Sequence, residues 1–449
     1  MPKRLKACAA LGLLAAAFAL FAASCGDDDP ADGGTPTAED STPGAVASPT
    51  GDLLTPEDVL AKDPAVTRQA VVRWGFLFEL SGPLVGSGFG IPTSDGVRLA
   101  VKEINEAGGF QVGDTIYTIE LVERDTRSDV QQTIAAATEL VRDEEVNVIF
   151  GPATVGEPQS TPITQGEQVL HFCPCQQRET TALSSKEKAQ NESHWAFQTL
   201  LPFSILSKQG ARNFLEDWPD FKKIAILCQN TQTGHDVCER TAEAYREVGL
   251  DVVFEEYFPP ETTDYSPYLT RMRESDPDYL FNFHDPLAGA QIVRQALEQG
   301  VGRLHILTLP ANVVEGLVGV PITTPLIIGA APRNEIQPTS QEATDYFERY
   351  RAFTQESRGQ DLPFAAFVSL LMYDYVYMLA GAMQQADTVE DTTAIADALE
   401  TLRYNGVAEE EMRFNSRHLG VHGTDPCTFR AGQPLVCEHL PPPPEALEE

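Results

Sequence analysis

An α/β protein of two doubly wound lobes with mostly parallel sheets is the fold class that the sequence predicts. Apolar runs of strand length alternate with helical patterns along most of the 449 residues, which is typical of βαβ units. The units fall into two successive series, and each series can build a sheet covered by its own helices. The length and the 42% hydrophobic content exceed what one core usually needs, so two lobes are expected.

The first series begins with the apolar run 71–78 and a helical pattern over 95–106, which Gly108 and Gly109 end. The same unit then repeats. Its remaining predicted elements are a strand at 116–123, a helix at 130–142, a strand at 146–150, a turn at 151–152 and a strand at 169–172.

The second series carries the same alternation from about residue 205. Its predicted helices lie at 205–215, 237–248, 268–274 and 288–299, and its predicted strands at 224–228, 252–257, 279–283 and 305–309. The pieces expected to complete the lobes are a strand at 326–329, helices at 340–356, 364–385 and 392–402, a β segment at 412–414 and a hairpin between Cys427 and Cys437.

Residues 1–24 have the pattern of an export signal. Three basic residues precede an apolar, Ala-rich run over 7–23 that is short for a membrane span, and small residues close it. The segment Ala22-Ala23-Ser24-Cys25 resembles a bacterial lipobox, with Ala22 where Leu is usual. We expect Cys25 to be lipidated and to hold the chain on the extracytoplasmic face of the cell membrane. Ordinary signal cleavage and an uncleaved anchor are the alternatives.

The stretch 25–66 is predicted to be the lipidated cysteine followed by a disordered tether. It is rich in Asp, Gly, Thr, Pro and Ser and has no aromatic residue. Such a composition buries too little apolar surface to offset the entropy of ordering the chain. Residues 441–449 are predicted to be a polar tail.

Six further cysteines form three close pairs, which favours an oxidising compartment. Spacing predicts a disulfide across the C-terminal hairpin and another across a strand-to-helix loop. A bridge in the third pair is left open, because it would be strained. A zinc site is not indicated, because no CxxC or clustered His accompanies the thiols. The pairs are, in that order, Cys427 and Cys437, Cys228 and Cys238, and Cys173 and Cys175.

Acidic residues outnumber basic residues by 66 to 32, giving a formal net charge of −34. The acids are spread along the chain rather than gathered in one tail. Nucleic-acid binding needs a basic face that releases counterions from phosphates, so that class of function is excluded.

Several short motifs follow one another in a specific order. They are LSGP at 80–83, GVRLAVKEINEAGG at 96–109, DTRSD at 125–129, VIFGP at 148–152, TTDYS at 262–266 and DPD at 276–278. Over about 71–436 this order resembles the branched-chain amino acid binding (leucine-binding) family of type I periplasmic binding proteins, the extracellular receptors of ABC importers.

The resemblance implies two lobes joined by a three-strand hinge and closing on a ligand held between them. The crossovers are expected near 199–200, 329–332 and 412–415, so that lobe one comprises 67–199 plus 330–411 and lobe two comprises 200–329 plus 412–440.

Loops at the carboxyl ends of parallel strands are the expected ligand contacts. In lobe one the family binds an amino acid's carboxylate at positions that match Val155, Cys175 and Gln177, so the resemblance implies contacts there. Neighbouring amides and hydroxyls can add donors and acceptors, although a solvated loop is the alternative. The candidates of lobe one are Ser87, Thr154, Val155, Cys175, Gln176 and Gln177.

Lobe two offers Thr233, His284 and Asp285 at its strand ends. The family has phenols at the positions of Thr233 and Asp285 and a carboxylate near Pro310. This sequence keeps none of the three, so the resemblance implies the receptor role rather than the branched-chain specificity. Asp285 can meet a ligand ammonium, amidine or amide, or instead cap the next helix, and His284 can be a ligand contact or a structural histidine.

The sequence therefore predicts an exported substrate-binding lipoprotein of an ABC transporter that captures a small polar solute, amino acid-like or an amide. The expected partners of this monomer are the solute, ABC permease subunits and, through its lipid, the membrane; no cofactor or metal is predicted. The alternative is a ligand sensor that presents a bound molecule to a separate signalling receptor. An enzyme is not indicated, since no G-x-S-x-G, HExxH or supported Cys/His/Asp constellation occurs.

Overall fold

Two mostly parallel sheets organise the chain between Gly51 and Glu449. The computed structural model describes residues 53–82, 90–153, 155–175, 195–283, 286–307, 326–328, 333, 335, 337–359, 366–430 and 433–447. The strands are β1 (Arg68–Phe78), β2 (Phe110–Val112), β3 (Thr115–Asp125), β4 (Val148–Phe150), β5 (Leu170–Cys173), β6 (Ala196–Gln198), β7 (Lys223–Gln229), β8 (Asp251–Phe258), β9 (Tyr279–Phe283), β10 (Leu304–Leu307), β11 (Leu326–Ile328), β12 (Arg413–Phe414), β13 (Gly420–Val421), β14 (Cys427–Phe429) and β15 (Val436–Cys437).

The helices of the described residues separate most of these strands along the chain. They are α1 (Pro56–Leu60), α2 (Gly90–Glu106), α3 (Val130–Arg142), α4 (Glu157–Gly166), α5 (Phe203–Asp217), α6 (Gln232–Glu247), α7 (Ser266–Glu274), α8 (Pro286–Gln299), α9 (Gln341–Arg358), α10 (Ala366–Gln385), α11 (Thr392–Thr401) and α12 (Pro444–Leu447).

The first sheet has the strand order β2-β3-β1-β4-β5-β6. The pair β2 and β3 is antiparallel, and the other neighbours are parallel. Strand β1 lies in the interior of this order, and every residue from Trp74 to Phe78 is buried. Burial on both faces explains why residues 74–78 of this strand read as a continuous apolar run instead of an alternating one.

Helix α10 covers the first sheet together with α2, and most of its side chains are buried in the same core. Gly96 of α2 allows the two helices to approach closely. A Cβ at Gly96 would lie 1.9 Å from the carbonyl oxygen of Ser369 in α10. The family-like motif at 96–109 therefore has a packing reason for its first glycine.

The second sheet has the order β15-β14-β11-β10-β9-β7-β8, with parallel pairs from β11 to β8 and antiparallel pairs at the β14 and β15 end. Ile224 and Ile226 of β7 enter one buried cluster, whereas Ala225 and Leu227 enter another. Consecutive strand residues point to opposite faces, so this sheet also has a core on each side.

The segments next to two of the three expected crossovers, at 198 and at 418–419, lie side by side. The amide of Gln198 donates to the carbonyl of His418 over 2.9 Å, and Gln198 forms an isolated bridge with Leu419. The ring of His418 stacks on Phe197 at 4.3 Å between ring centroids. The expected crossover at 329–332 lies outside the described residues.

The predicted fold class is confirmed. The predicted strands and helices are present wherever the chain is described, with ends shifted by at most five residues. The proposed boundaries between two lobes remain a prediction. Within the described part of the chain, no helix is both long enough and apolar enough to cross a bilayer.

The expectation of a disordered tether up to residue 66 is wrong for its last part. Leu54 forms a bridge with Tyr404, and α1 follows with Thr55 as a capping-box N-cap. Val59 of this helix is completely buried. The average composition of 25–66 is polar, so it did not indicate that Leu54, Val59 and Leu60 pack against the core.

The expected polar tail is also partly wrong. Helix α12 places Ala446 at 0% exposure, and Glu445 pairs with Arg212 of α5 at 2.5 Å. The side-chain amide of Gln209 donates to the backbone carbonyl of Pro441 over 2.9 Å. The C-terminal segment is therefore docked on α5.

Candidate ligand-binding site

Strands β1, β3, β4 and β5 are parallel, so their carboxyl ends meet at one edge of the first sheet. Ligands of open parallel sheets bind at this edge. Glu79 follows β1, Asp125 ends β3, the turn at Gly151 follows β4, and Cys175 follows β5.

The turn after β4 has a fixed shape. Gly151 has a φ of +96°, and a Cβ there would lie 1.8 Å from the carbonyl oxygen of Leu77. The hydroxyl of Thr133 in α3 donates to the carbonyl of Val155 over 3.1 Å. The shape requires glycine at 151 and presents the following amides toward β1.

Glu79 receives those amides. Its carboxylate accepts from the amide of Ala153 over 3.1 Å and from the amide of Val155 over 2.8 Å, one on each oxygen. Glu79 is 1% exposed. The sequence prediction missed Glu79, although an acidic residue directly after the apolar run of β1 was the available signal.

Asp125 holds the first loop in place. Its carboxylate accepts from the amides of Leu80, Ser81 and Arg127 and from the hydroxyl of Ser81. Burial alone would raise the pKa of Asp125, but the Ser81 hydroxyl and the three amides together lower it. This fixes the start of the loop that contains the candidate Ser87.

His171 of β5 also holds this turn, through a hydrogen bond to Gly151. Its Nε2 lies 2.6 Å from the carbonyl oxygen of Gly151, and its Nδ1 lies 3.2 Å from the hydroxyl of Thr164. Burial lowers the pKa of His171 to about 4, against the opposing effect of the Gly151 carbonyl. The ring is therefore neutral at pH 7, and Nε2 is the nitrogen that donates to Gly151.

Cys173 and Cys175 lie beside Glu157, and all three residues are buried. One ligand atom from each lies within 4.8 Å of the others, the arrangement of a small metal site. The two sulfur atoms are also within bonding distance of each other. A bridge between them would leave no thiolate for a metal.

The carboxyl edge of the second sheet also carries polar and aromatic groups. The ring of His235 in α6 lies 2.9 Å from Oδ1 of Asn230 and stacks on Tyr257 at 3.9 Å. Phe283, the last residue of β9, contacts Phe203 edge-on at 5.4 Å. Asn230 and His235 were not predicted from the sequence.

The structure describes only some of the predicted contacts. Val155 and Cys175 lie at the first edge, and the backbone of Thr233 lies in the first turn of α6, whose N-cap is Thr231. The other candidates lie outside the described residues, namely Ser87, Thr154, Gln176, Gln177, His284 and Asp285. All nine therefore remain predictions as ligand contacts.

The two predicted disulfide pairs are close in space. The sulfur atoms of Cys228 and Cys238, and those of Cys427 and Cys437, lie within bonding distance. Cys427 and Cys437 stand directly opposite each other in the β14 and β15 ladder. The hairpin is confirmed, and bond formation in the exported protein remains a prediction.

A buried charged network joins Arg333, Glu409, Asp425 and His439. Nδ1 of His439 lies 2.7 Å from Asp425, and Nε2 lies 3.2 Å from Glu409. Asp425 is fully buried and also lies 3.6 Å from Arg333. Hydrogen bonds from the ring to Asp425 and Glu409 raise the pKa of His439 to about 9. Asp425 lies in the segment that leads into β14. Arg333 contacts it directly, and Glu409 is linked to it through His439.

Two mostly parallel α/β sheets with polar groups at the carboxyl ends of their strands are typical of proteins that bind a small solute. The chain belongs to the periplasmic binding protein family, whose model matches residues 71–432. This confirms the resemblance drawn from the ordered motifs. The family and the fold are those of binding proteins of transporters, not of enzymes.

Individual relatives are distant. The chain is 25% identical over 240 residues to Leu/Ile/Val-binding protein homolog 7 of Brucella suis, covering 53% of this chain and 58% of that protein. The chain thus spans less than two thirds of that relative.

Solved structures share the fold at lower identity. One is the branched-chain amino acid transporter substrate-binding protein LivJ of Streptococcus pneumoniae in complex with isoleucine, with a TM-score of 0.64, 21% identity, and coverage of 83% of this chain and 100% of that chain. Another is a solute-binding protein of an ABC transporter from Rhodopseudomonas palustris in complex with p-hydroxybenzoic acid, with a TM-score of 0.63, 17% identity, and coverage of 83% and 96%.

Proposed function

We propose that this protein is the extracytoplasmic substrate-binding lipoprotein of an ABC importer and that it captures a small polar solute between two lobes. Family membership over 71–432 is the observation that carries the proposal. The solute contacts the loops after β1, β4 and β5 on one side and those after β7 and β9 on the other. Contacts to both sides stabilise a closed form, so binding and closure are one equilibrium.

The candidate contacts offer mainly hydrogen-bonding groups, not an apolar surface. Val155 is held by the hydroxyl of Thr133, and Asn230 and His235 lie at the carboxyl edge of the second sheet. A small molecule with several polar groups fits such a set better than an aliphatic one.

Export and lipidation at Cys25 complete the proposal, supported by the signal pattern of residues 1–24. Mass analysis of the mature N-terminal peptide tests this point. A diacylglyceryl group on Cys25 is expected, and Cys25→Ser should release the protein from membranes. An unmodified N-terminus elsewhere would contradict the anchor.

Ligand binding is tested by unfolding and refolding the purified full chain, which strips any retained solute, and then recording Tm against amino acids, amides, polyamines and aromatic acids. A ligand at a hundred times its Kd adds about 2.7 kcal/mol. For a chain of this length that is a rise of about 3 °C. Gln177→Ala and Asp285→Ala should abolish the rise. A cooperatively folded chain that responds to no solute would contradict the receptor role.

The partner is tested by co-purification from detergent-solubilised membranes. Permease subunits are the expected partner. Recovery of a sensor kinase in their place would establish the alternative function of presenting a ligand to a signalling receptor.

A further inference from the structure

Two backbone amides in the loop after β4 converge on one carboxylate, and that carboxylate belongs to the chain itself. Ala153 donates to Oε2 of Glu79 over 3.1 Å, and Val155 donates to Oε1 over 2.8 Å. Amides that converge in a turn are a general binding place for a carboxylate or phosphate. In this chain Glu79 occupies that place.

The arrangement is held from several sides. Gly151 begins the turn with a φ of +96°, His171 contacts its carbonyl at 2.6 Å, and Thr133 donates to the carbonyl of Val155. Ala153 and Glu79 are each 1% exposed. No second anion has room against the two amides while Glu79 holds them.

This carboxylate lies in the interior of the expected ligand edge. Glu79 directly follows β1, which pairs with β3 on one side and β4 on the other. The loops that follow these parallel strands face the solute in the proposed function. The carboxyl group of Glu79 is therefore held at the centre of this edge, and the two amides that could bind an anion are already in use.

We infer that Glu79 sets the ligand class of the site: it closes lobe one to a ligand carboxylate and selects a head group that donates hydrogen bonds, a cationic amine first and a neutral amide next. The inference rests on the proposed receptor function and names the ligand class of the same site. A ligand carboxylate would find the amides of Ala153 and Val155 occupied and would lie beside the carboxyl group of Glu79. The two solved relatives described above hold isoleucine and p-hydroxybenzoic acid, which both carry a carboxyl group.

The test uses probes that share a skeleton and differ in one head group. One set is leucine, leucinamide and 3-methylbutylamine, and the other is 4-hydroxybenzoate, 4-hydroxybenzamide and 4-hydroxybenzylamine. Binding to the refolded full chain is measured by titration calorimetry. We expect the wild-type protein to bind the amide or amine of a set at least tenfold more tightly than the acid, a difference of about 1.4 kcal/mol.

Glu79→Ala frees the two amides, so it should reduce that preference at least tenfold and gain binding of acetate at millimolar concentration. Glu79→Gln keeps the side-chain shape and removes the charge, so it should reduce the preference without gaining acetate binding; it replaces Glu79→Ala in the ranking test if that variant does not unfold cooperatively. The matched control is Glu120→Ala on β3, which removes one negative charge from a side chain that is 57% exposed. It should leave both the ranking and the acetate response unchanged.

Wild-type protein that binds an acid as tightly as its amide would overturn the inference and leave the receptor function standing. If no probe binds the wild-type protein, the Tm response of the variants to acetate still tests whether Glu79 occupies the two amides. A Tm rise with acetate in Glu79→Ala alone supports the part of the inference that Glu79 closes the two amides to a carboxylate, and equal responses in all variants overturn that part.

Discussion

His439 offers a pH-dependent test of the buried charged network. The change is His439→Gln, which keeps a hydrogen-bond donor and removes the titratable ring. The ring lies 2.7 Å from Asp425 and 3.2 Å from Glu409, which raise its pKa from 6.5 to about 9. A raised pKa means that the folded state binds the proton more tightly than the unfolded state. The stabilisation is therefore complete below pH 6.5 and is lost as the pH rises through 9.

The magnitude follows from the two pKa values. Linkage gives about 3 kcal/mol at pH 6 and less than about 1 kcal/mol at pH 9. Lost packing around the ring adds an offset that does not depend on pH. The expected signature is thus a wild-type advantage over His439→Gln that shrinks by about 2–3 kcal/mol between pH 6 and pH 9.

The assay is urea unfolding of both proteins at half-unit steps from pH 6 to pH 9.5. Arg68→Gln is the control, because Arg68 pairs with Asp114 at 3.4 Å with side chains that are 70% and 83% exposed. That pair should contribute less than about 1 kcal/mol at every pH. A His439→Gln difference that stays constant across the range would refute the assignment of a charged ring between two carboxylates.

Three further outcomes are expected. Gly151→Ala should lower the free energy of unfolding by at least about 3 kcal/mol, against about 1–2 kcal/mol for Gly108→Ala, since both have positive φ but only Gly151 also meets backbone; equal losses in urea unfolding would contradict this. Asp125→Asn should destabilise by about 1 kcal/mol at pH 7. Because the pKa of Asp125 is lowered in the fold, the wild-type advantage should be lost as the pH falls through that lowered value, and an advantage unchanged at pH 2 would argue against the loop contacts. Replacing Cys427 and Cys437 by Ser should cost about 2–3 kcal/mol if the pair is bridged, and an unchanged Tm would show that it is not.

The regular part of the fold was predictable because strand and helix periods are local. Runs such as 71–78 and 279–283 are mostly apolar, with one polar residue each, and their flanking helices carry the 3.6-residue pattern. Helix α4 escaped prediction because Pro158 and Pro162 lie inside it and Gly156 gives it no side-chain cap. The short helices α1 and α12 were missed because their stability comes from docking on distant segments rather than from their own pattern.

The candidate site was predictable only as a set of loops. Glu79 is an ordinary acidic residue after a strand until the turn at Gly151 brings two amides to it across 74 and 76 positions of sequence. Nothing local marks such a pairing. Asn230 and His235 pose the same difficulty, because their contact depends on how the first turn of α6 follows β7.

The edge strands of the two sheets affect whether copies of this protein associate at high concentration. Strands β2 and β15 are three and two residues long, and the outer side of β6 is occupied by the segment at His418 and Leu419. Strand β8, with eight residues, is the longer border, and it carries Asp251, Glu255 and Glu256. An unpaired border of this kind can recruit a strand from another molecule. On β8, Glu255 pairs with Arg246 at 3.3 Å and Glu256 pairs with Arg271 at 2.5 Å, while Asp251 is exposed. A strand from another molecule would have to desolvate these charged groups, which opposes that association.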